Sequence, residues 1–251
     1  SPKNLHPSQT TLAVYVGLSV SPEKLNLPKS GAFLVFPSND LVDHVAQLEK
    51  TTLEEALKND SLSEAMEGEE MHLGPIFLSA GGSVHDASWS QKFPGKSTLE
   101  IGCQCPYSWF AKYESNRGKE YEEMKMKLAS KVWRRVVEVL ENDCPDLPKE
   151  LDGVDHVEVG SPLTMSRFLG SEHGACFGLE HNMKRYEPSM HFVRLRPKLP
   201  EVTNLFISGQ DVASTGIGGA MIGGLLCAAS MLGISDPFSL IPSETTDASK
   251  K

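Results

Sequence analysis

Residues 205–232 read LFISGQDVASTGIGGAMIGGLLCAASML, and no charged residue occurs between 212 and 235. A run this long and this apolar belongs in a bilayer or inside a protein. Its edges argue for the protein. Asp211 and Asp236 flank it, neither edge carries Trp or Tyr, and six glycines fall between residues 216 and 235, whereas spanning helices favour basic and aromatic flanks. Small residues recur at four-residue spacing, Gly219 with Gly223 and Gly224 with Ala228, a pattern that lets a helix pack closely in lipid or on a sheet in water. The preferred reading is a buried strand (NLFISG), a turn, and a helix that opens on glycines. A spanning helix is the alternative.

In that reading the strand delivers Asp211 to its carboxyl end, where ligands bind in open α/β sheets. Gly216, Gly218 and Gly219 strip side chains from the first helical turn, so a ligand can approach the backbone. The unpaired N–H groups there favour an anion or an electron-rich carbonyl. An aspartate beside them is poorly placed for phosphate and well suited to accept hydrogen bonds from sugar or ribityl hydroxyls. A dinucleotide site normally opens with G-x-G-x-x-G after a strand, and none occurs in the 251 residues. If a dinucleotide binds, the expectation is that its phosphate-gripping half lies outside this sequence.

The remainder of the chain narrows the class. A net charge of −9 with no lysine- or arginine-rich run argues against nucleic acid. Cys103, Cys105, Cys144, Cys176 and Cys227 lack the paired spacing of a structural zinc site, and no H-E-x-x-H is present. Reduced thiols and no metal are expected. The first residues, SPKNLHPS, read as the middle of a longer polypeptide, and the polar SETTDASKK as a frayed end.

Strands are expected over residues 10–20, 31–37, 74–79, 97–103 and 154–160, where β-branched and apolar residues cluster. HFVRLR suggests another. Leu41, Val45 and Leu48 predict a helix, with a second piece at Leu53 and Leu57. Residues 80–97 read as a polar loop, and 161–186 as irregular. The clearest helix covers 118–143, with Tyr121, Met124, Leu128, Val132, Val136 and Val139 as its apolar stripe. Its glutamates fall early and its arginines late, as the helix dipole favours. Strands and helices alternate irregularly, which indicates α+β.

GQDVASTGIGGAMIGGLLCAASML closely resembles the C-terminal flavin motif of the retinol saturases, all-trans-retinol 13,14-reductases grouped with carotenoid isomerases and phytoene desaturases among FAD-dependent oxidoreductases. GSPLTMSRFLGSEHGACFGLEHNMKRY, DASWSQKFPGKST and YSWFAKYESNRGKEYEEMK resemble further segments of that family. The resemblance implies an α+β substrate-domain portion over residues 1–190, including a loop that approaches the flavin. Residues 191–240 would be the C-terminal strand and helix of a glutathione-reductase-type α/β FAD-binding domain, and 241–251 a flexible tail. It implies FAD bound in part by Gly209, Gln210 and Asp211, with Asp211 on the ribityl or adjacent hydroxyls. Gly216, Ile217, Gly218, Gly219 and Ala220 would form the helix start facing the flavin's pyrimidine edge. The turn Ala213-Ser214-Thr215 departs from the family.

Glu180 and His181 in FGLEHN are the candidate catalytic acids, since either can donate a proton. The implied substrate is a hydrophobic isoprenoid, a retinoid or carotenoid, and the implied partner is the missing N-terminal half of the same protein. Peripheral contact with endoplasmic reticulum or plastid membrane is expected from the resemblance. Two alternatives stay open: a flavin-dependent isomerase, and a non-catalytic membrane-associated module that binds lipid.

Overall fold

The computed structural model describes residues 6–29, 32–36, 46–57, 73–181, 196–199 and 202–242. They fall into two compact units, one within Gln9–Cys176 and one combining Ser1–Ser8 with Phe177–Lys251.

The Gln9–Cys176 unit is built on a five-stranded antiparallel sheet. Its strands are β1 (Thr11–Leu18), β2 (Phe33–Val35), β3 (Ile76–Ser79), β4 (Ser97–Gln104) and β5 (His156–Gly160), in the order β2-β3-β4-β1-β5. The longest pairing, Thr11↔Gln104 through Leu18↔Ser97, fixes the register of the centre. Side chains alternate between faces with period two. Leu12, Val14, Val16 and Leu18 therefore share one buried face with Leu99, Ile101 and Cys103. On the opposite face, Gly102, Ala13 and Gly160 lie side by side across three strands, next to a half-exposed Tyr15 set between Glu100 and Glu158. The Thr10 hydroxyl donates to the Cys105 carbonyl, and the Cys105 amide returns a 3.2 Å bond to the Thr10 carbonyl. These bonds prolong the β1–β4 ladder beyond its named residues.

Short helices α1 (Leu53–Leu57), α2 (Gly81–His85) and α3 (Trp89–Lys92) precede the long helix α4 (Lys119–Leu140). α4 covers the buried sheet face with Tyr121, Met124, Leu128, Ala129, Val132, Trp133, Val136 and Leu140. Removing each large apolar side chain of that stripe from water contributes about 1.5–3 kcal/mol. Trp133 buries its ring and satisfies its indole N–H with the Pro148 carbonyl at 3.0 Å. The sequence stripe placed Val139 in the core; it is 39% exposed, and Leu140 is buried instead. A 3.6-residue period drifts off any fixed alternation of threes and fours, so the end of a long stripe shifts by one position. The helix ends at Leu140, short of the expected residue 143; Arg134 and Arg135 fall in its second half as expected, and its last turn holds no basic residue. Arg134 pairs with Glu150 at 2.9 Å and Arg135 with Glu138 at 2.6 Å.

Two segments are more regular than their composition suggested. Residues 80–97 contain α2 and α3. The buried Ser83 hydroxyl bonds to the carbonyls of Ala80 and Thr98, and the rings of Trp89 and Phe93 lie 4.6 Å apart. Within residues 161–186, α5 (Pro162–Leu169) forms on a full capping box. Ser161 Oγ accepts from the Leu163 amide, Thr164 Oγ1 accepts from the Ser161 amide, and Pro162 occupies the first turn, where its missing N–H costs nothing. Gly170 closes α5 at φ +66°. Ser161 Oγ lies 2.6 Å from the Tyr121 hydroxyl, which ties α5 to α4 through a buried bond.

The second unit contains α6 (Gly216–Leu232) and a 3₁₀ turn, Pro237–Leu240. The expected strand NLFISG is reduced to a single bridge, Lys198↔Phe206. Asn204 sits at φ +61°, a left-handed conformation that breaks an extended run at its start. Leu205 is accordingly 45% exposed. Most of HFVRLR, residues 41–45 and the tail from residue 243 lie outside the described residues.

Candidate functional site

The predicted site residues gather around the start of α6. The turn before it is built by two backbone bonds, Val212 N–H to the Gly209 carbonyl and Ala213 N–H to the Gln210 carbonyl, each at 3.2 Å. Gly209 adopts φ +93°, which only glycine takes without strain. The turn then lies across the helix so closely that two helix glycines become obligatory. A Cβ on Gly219 would stand 1.7 Å from the Ser214 carbonyl oxygen, and one on Gly223 would stand 2.0 Å from that of Gly209.

The glycines of the motif thus divide. Gly219 and Gly223 receive the protein's own backbone. At Gly216 and Gly218 an added Cβ would meet nothing within 4 Å. Those two positions, with the highly exposed Ile217 (83%) and the exposed Ala220, form the open first turn. Thr215 stands at the N-cap without a side-chain bond to the helix. Gln210 substitutes for it: its Oε1 accepts from the Gly216 amide at 3.2 Å, satisfying one of the donors that a helix start leaves over.

Asp211 faces another segment. Its Oδ1 accepts from the Leu179 amide at 2.8 Å. A Cβ on Gly178 would fall 2.7 Å from Oδ1 and 2.9 Å from Oδ2, so the carboxylate rests in a socket that glycine leaves open. Gly178 is at φ +70°. On its other side the segment pairs with residues 6–8: Ser8 N–H to the Gly178 carbonyl and Glu180 N–H to the His6 carbonyl, both at 2.8 Å. Glu180 is exposed and His181 half-buried. The structure therefore brings Asp211 against the segment bearing Glu180 and His181, although the sequence separates them by about thirty residues.

The sequence reading missed Gly178 and misassigned the partner of Gly219 and Gly223. The four-residue spacing was visible, but what packs into it is the preceding turn. The apolar residues of α6 remain largely uncovered, including Met221 (70%), Met231 (63%) and Leu232 (66%). Helix α6 has 17 residues, and among the described residues no helix is long and apolar enough to cross a membrane. Separately, a shallow cleft in the Gln9–Cys176 unit is lined by Glu23, Asp86, Trp89, Phe93 and Lys96, none of them a predicted site residue. The Ser88 hydroxyl and amide together with Lys92 hold Asp86 down to a pKa of about 2.

No protein-family model matches the chain. Curated proteins do. It is 25% identical over 232 residues to all-trans-retinol 13,14-reductase of Danio rerio, covering 91% of this chain and 34% of that protein. It is 28% identical over 233 residues to the protein of the same name from Homo sapiens, with the same coverage. The chain is retinol saturase-like. A Danio rerio relative named inactive all-trans-retinol 13,14-reductase is 29% identical over 92% of the chain. The retinol saturase-like chain thus spans about a third of the length of the curated relatives it matches.

Proposed function

We propose that the protein is an FAD-dependent oxidoreductase that reduces a carbon–carbon double bond of a retinoid or a carotenoid-like isoprenoid. On this reading residues 191–240 belong to a glutathione-reductase-type FAD domain and most of residues 1–190 to its substrate domain. The pyrophosphate grip lies in chain outside this sequence. The observation that carries the reading is the open first turn of α6 beside Asp211, within a chain similar throughout to retinol reductases.

The residues present fit one edge of the cofactor. Gly216 and Gly218 present backbone without side chains, and the N-terminal end of α6 offers partial positive charge. That charge would stabilise the negative charge a flavin gains near N1 and C2=O on reduction. A carboxylate oxygen accepts more than one hydrogen bond, and Asp211, which takes the Leu179 amide, is the group that would accept from a ribityl hydroxyl. When bound and reduced, the cofactor supplies hydride to one alkene carbon. A proton must reach the other carbon. Glu180 or His181 supplies it, on the segment that Asp211 touches.

The test is a visible spectrum and a retinol turnover assay on the full-length protein. Flavin bands together with a product heavier by two hydrogens support the reading. A product of unchanged mass makes it an isomerase. A second reading, a lipid-binding module without redox chemistry, is favoured by the uncovered apolar side chains of α6 and by the relative named inactive. Absence of flavin bands after FAD is added would select it.

A further inference from the structure

We infer that Asp211 is a positioning residue: it latches the Phe177–His181 segment to the turn before α6, and thereby fixes where Glu180 and His181 stand. The assignment of chemistry to those two residues rests on the function proposed above. The latch itself rests on geometry.

Residues 178–180 form a bridge with residues 6–8 in which Gly178 and Glu180 make the backbone bonds, and Pro7 faces Leu179. In an antiparallel pair the intervening residue points its N–H away from its partner. The Leu179 N–H thus projects from the free edge of the bridge, where a further strand would otherwise take it. Asp211 takes it instead, with a carboxylate at 2.8 Å. Bonds to an ionised acceptor are the stronger kind.

Two features mark the contact as built. Gly178 leaves room for both carboxylate oxygens, which a Cβ would meet at 2.7 and 2.9 Å. The turn carrying Asp211 is itself locked to α6, because Gly219 and Gly223 admit the Ser214 and Gly209 carbonyls to the helix surface. The Phe177 amide adds an anchor at the start of the segment, donating to Ser8 Oγ at 2.9 Å. Among the described residues, one path from the open helix start to Glu180 runs through the Asp211 side chain and the Leu179 amide. A ligand that engages Asp211 would be sensed at Glu180 without touching it.

The experiment compares wild type, Asp211→Ala, Asp211→Asn and Gly178→Ala in the full-length protein. Hydrogen exchange is read by mass spectrometry on peptides covering residues 177–181, alongside turnover per bound flavin. Loss of the latch should speed exchange at Leu179 by about ten-fold or more. Asp211→Ala should do this and lower kcat per bound flavin, with a smaller change in KM. Asp211→Asn keeps an acceptor oxygen and should restore both. Gly178→Ala should match Asp211→Ala, and the two together should be no worse than either alone.

Unchanged Leu179 exchange in Asp211→Ala overturns the latch. So does a loss confined to flavin affinity, which would make Asp211 a cofactor contact only. If wild type holds no flavin, the proposed function fails, and the exchange comparison still decides the latch.

Discussion

At Cys103 the chain makes a prediction about pH. Burial pushes this thiol from its ordinary 9.0 up to about 12, and the same cause raises Cys105 well above its usual range. The folded state then keeps its protons where the unfolded chain loses them. With the unfolded state binding fewer protons, stability falls as pH rises. The loss should begin near pH 9, where the unfolded thiol titrates, and continue towards about 12. Urea unfolding across that window should show the decline, and Cys103→Ala should flatten part of it. At the candidate acids, whichever of Glu180→Gln and His181→Ala removes the proton donor should lower retinol turnover by the full-length protein about 10²-fold or more. If neither changes turnover, the assignment is dropped.

Helix α6 offers a test of how its glycines divide. Gly219→Ala drives a methyl group into the Ser214 carbonyl, and Gly223→Ala into that of Gly209. Neither backbone can yield without moving the turn, so both should lower the unfolding midpoint clearly. Gly218→Ala meets nothing, and should stabilise the helix by about 0.5–1 kcal/mol. The same change sets a methyl group where the cofactor is proposed to approach, so flavin affinity should fall while stability holds or rises. Loss of stability in Gly218→Ala, or unchanged flavin binding, would count against an open first turn. In α4 the stripe should behave as ordinary core. Leu128 is 1% exposed, and Leu128→Ala should cost about 2–5 kcal/mol in denaturant unfolding.

For the whole molecule the decisive quantity is the product. The full-length protein should show flavin absorbance and convert all-trans-retinol to a compound two hydrogens heavier, as the names of its relatives suggest. Mass spectrometry distinguishes this from isomerisation. The relative named inactive makes the measurement necessary, since overall similarity does not separate it from the others.

What the sequence determined by itself follows short-range rules. Alternation of apolar residues, several of them β-branched in β1, specified β1 and β4, because side-chain direction in a strand has period two. The recurrence of Tyr121, Met124, Leu128, Val132 and Val136 specified α4, and glycine clusters marked the turns around α6. The start of α5 was written there too, in Ser161-Pro162 and Thr164, and was hidden by the glycines that follow.

Contacts between distant residues were decided only by tertiary structure. Nothing local says that Leu205 stays exposed, that Leu140 replaces Val139 in the core, or that Gly219 and Gly223 receive the turn before them. The clearest case is Asp211. Its residue type announced an acceptor of hydrogen bonds, but its partner is an amide 32 positions away, beside a glycine whose missing side chain makes the space. Pattern fixes which way a side chain points along its own element. Which group it meets depends on the path of the rest of the chain, and there the physical reason is packing: each close approach requires both surfaces at once.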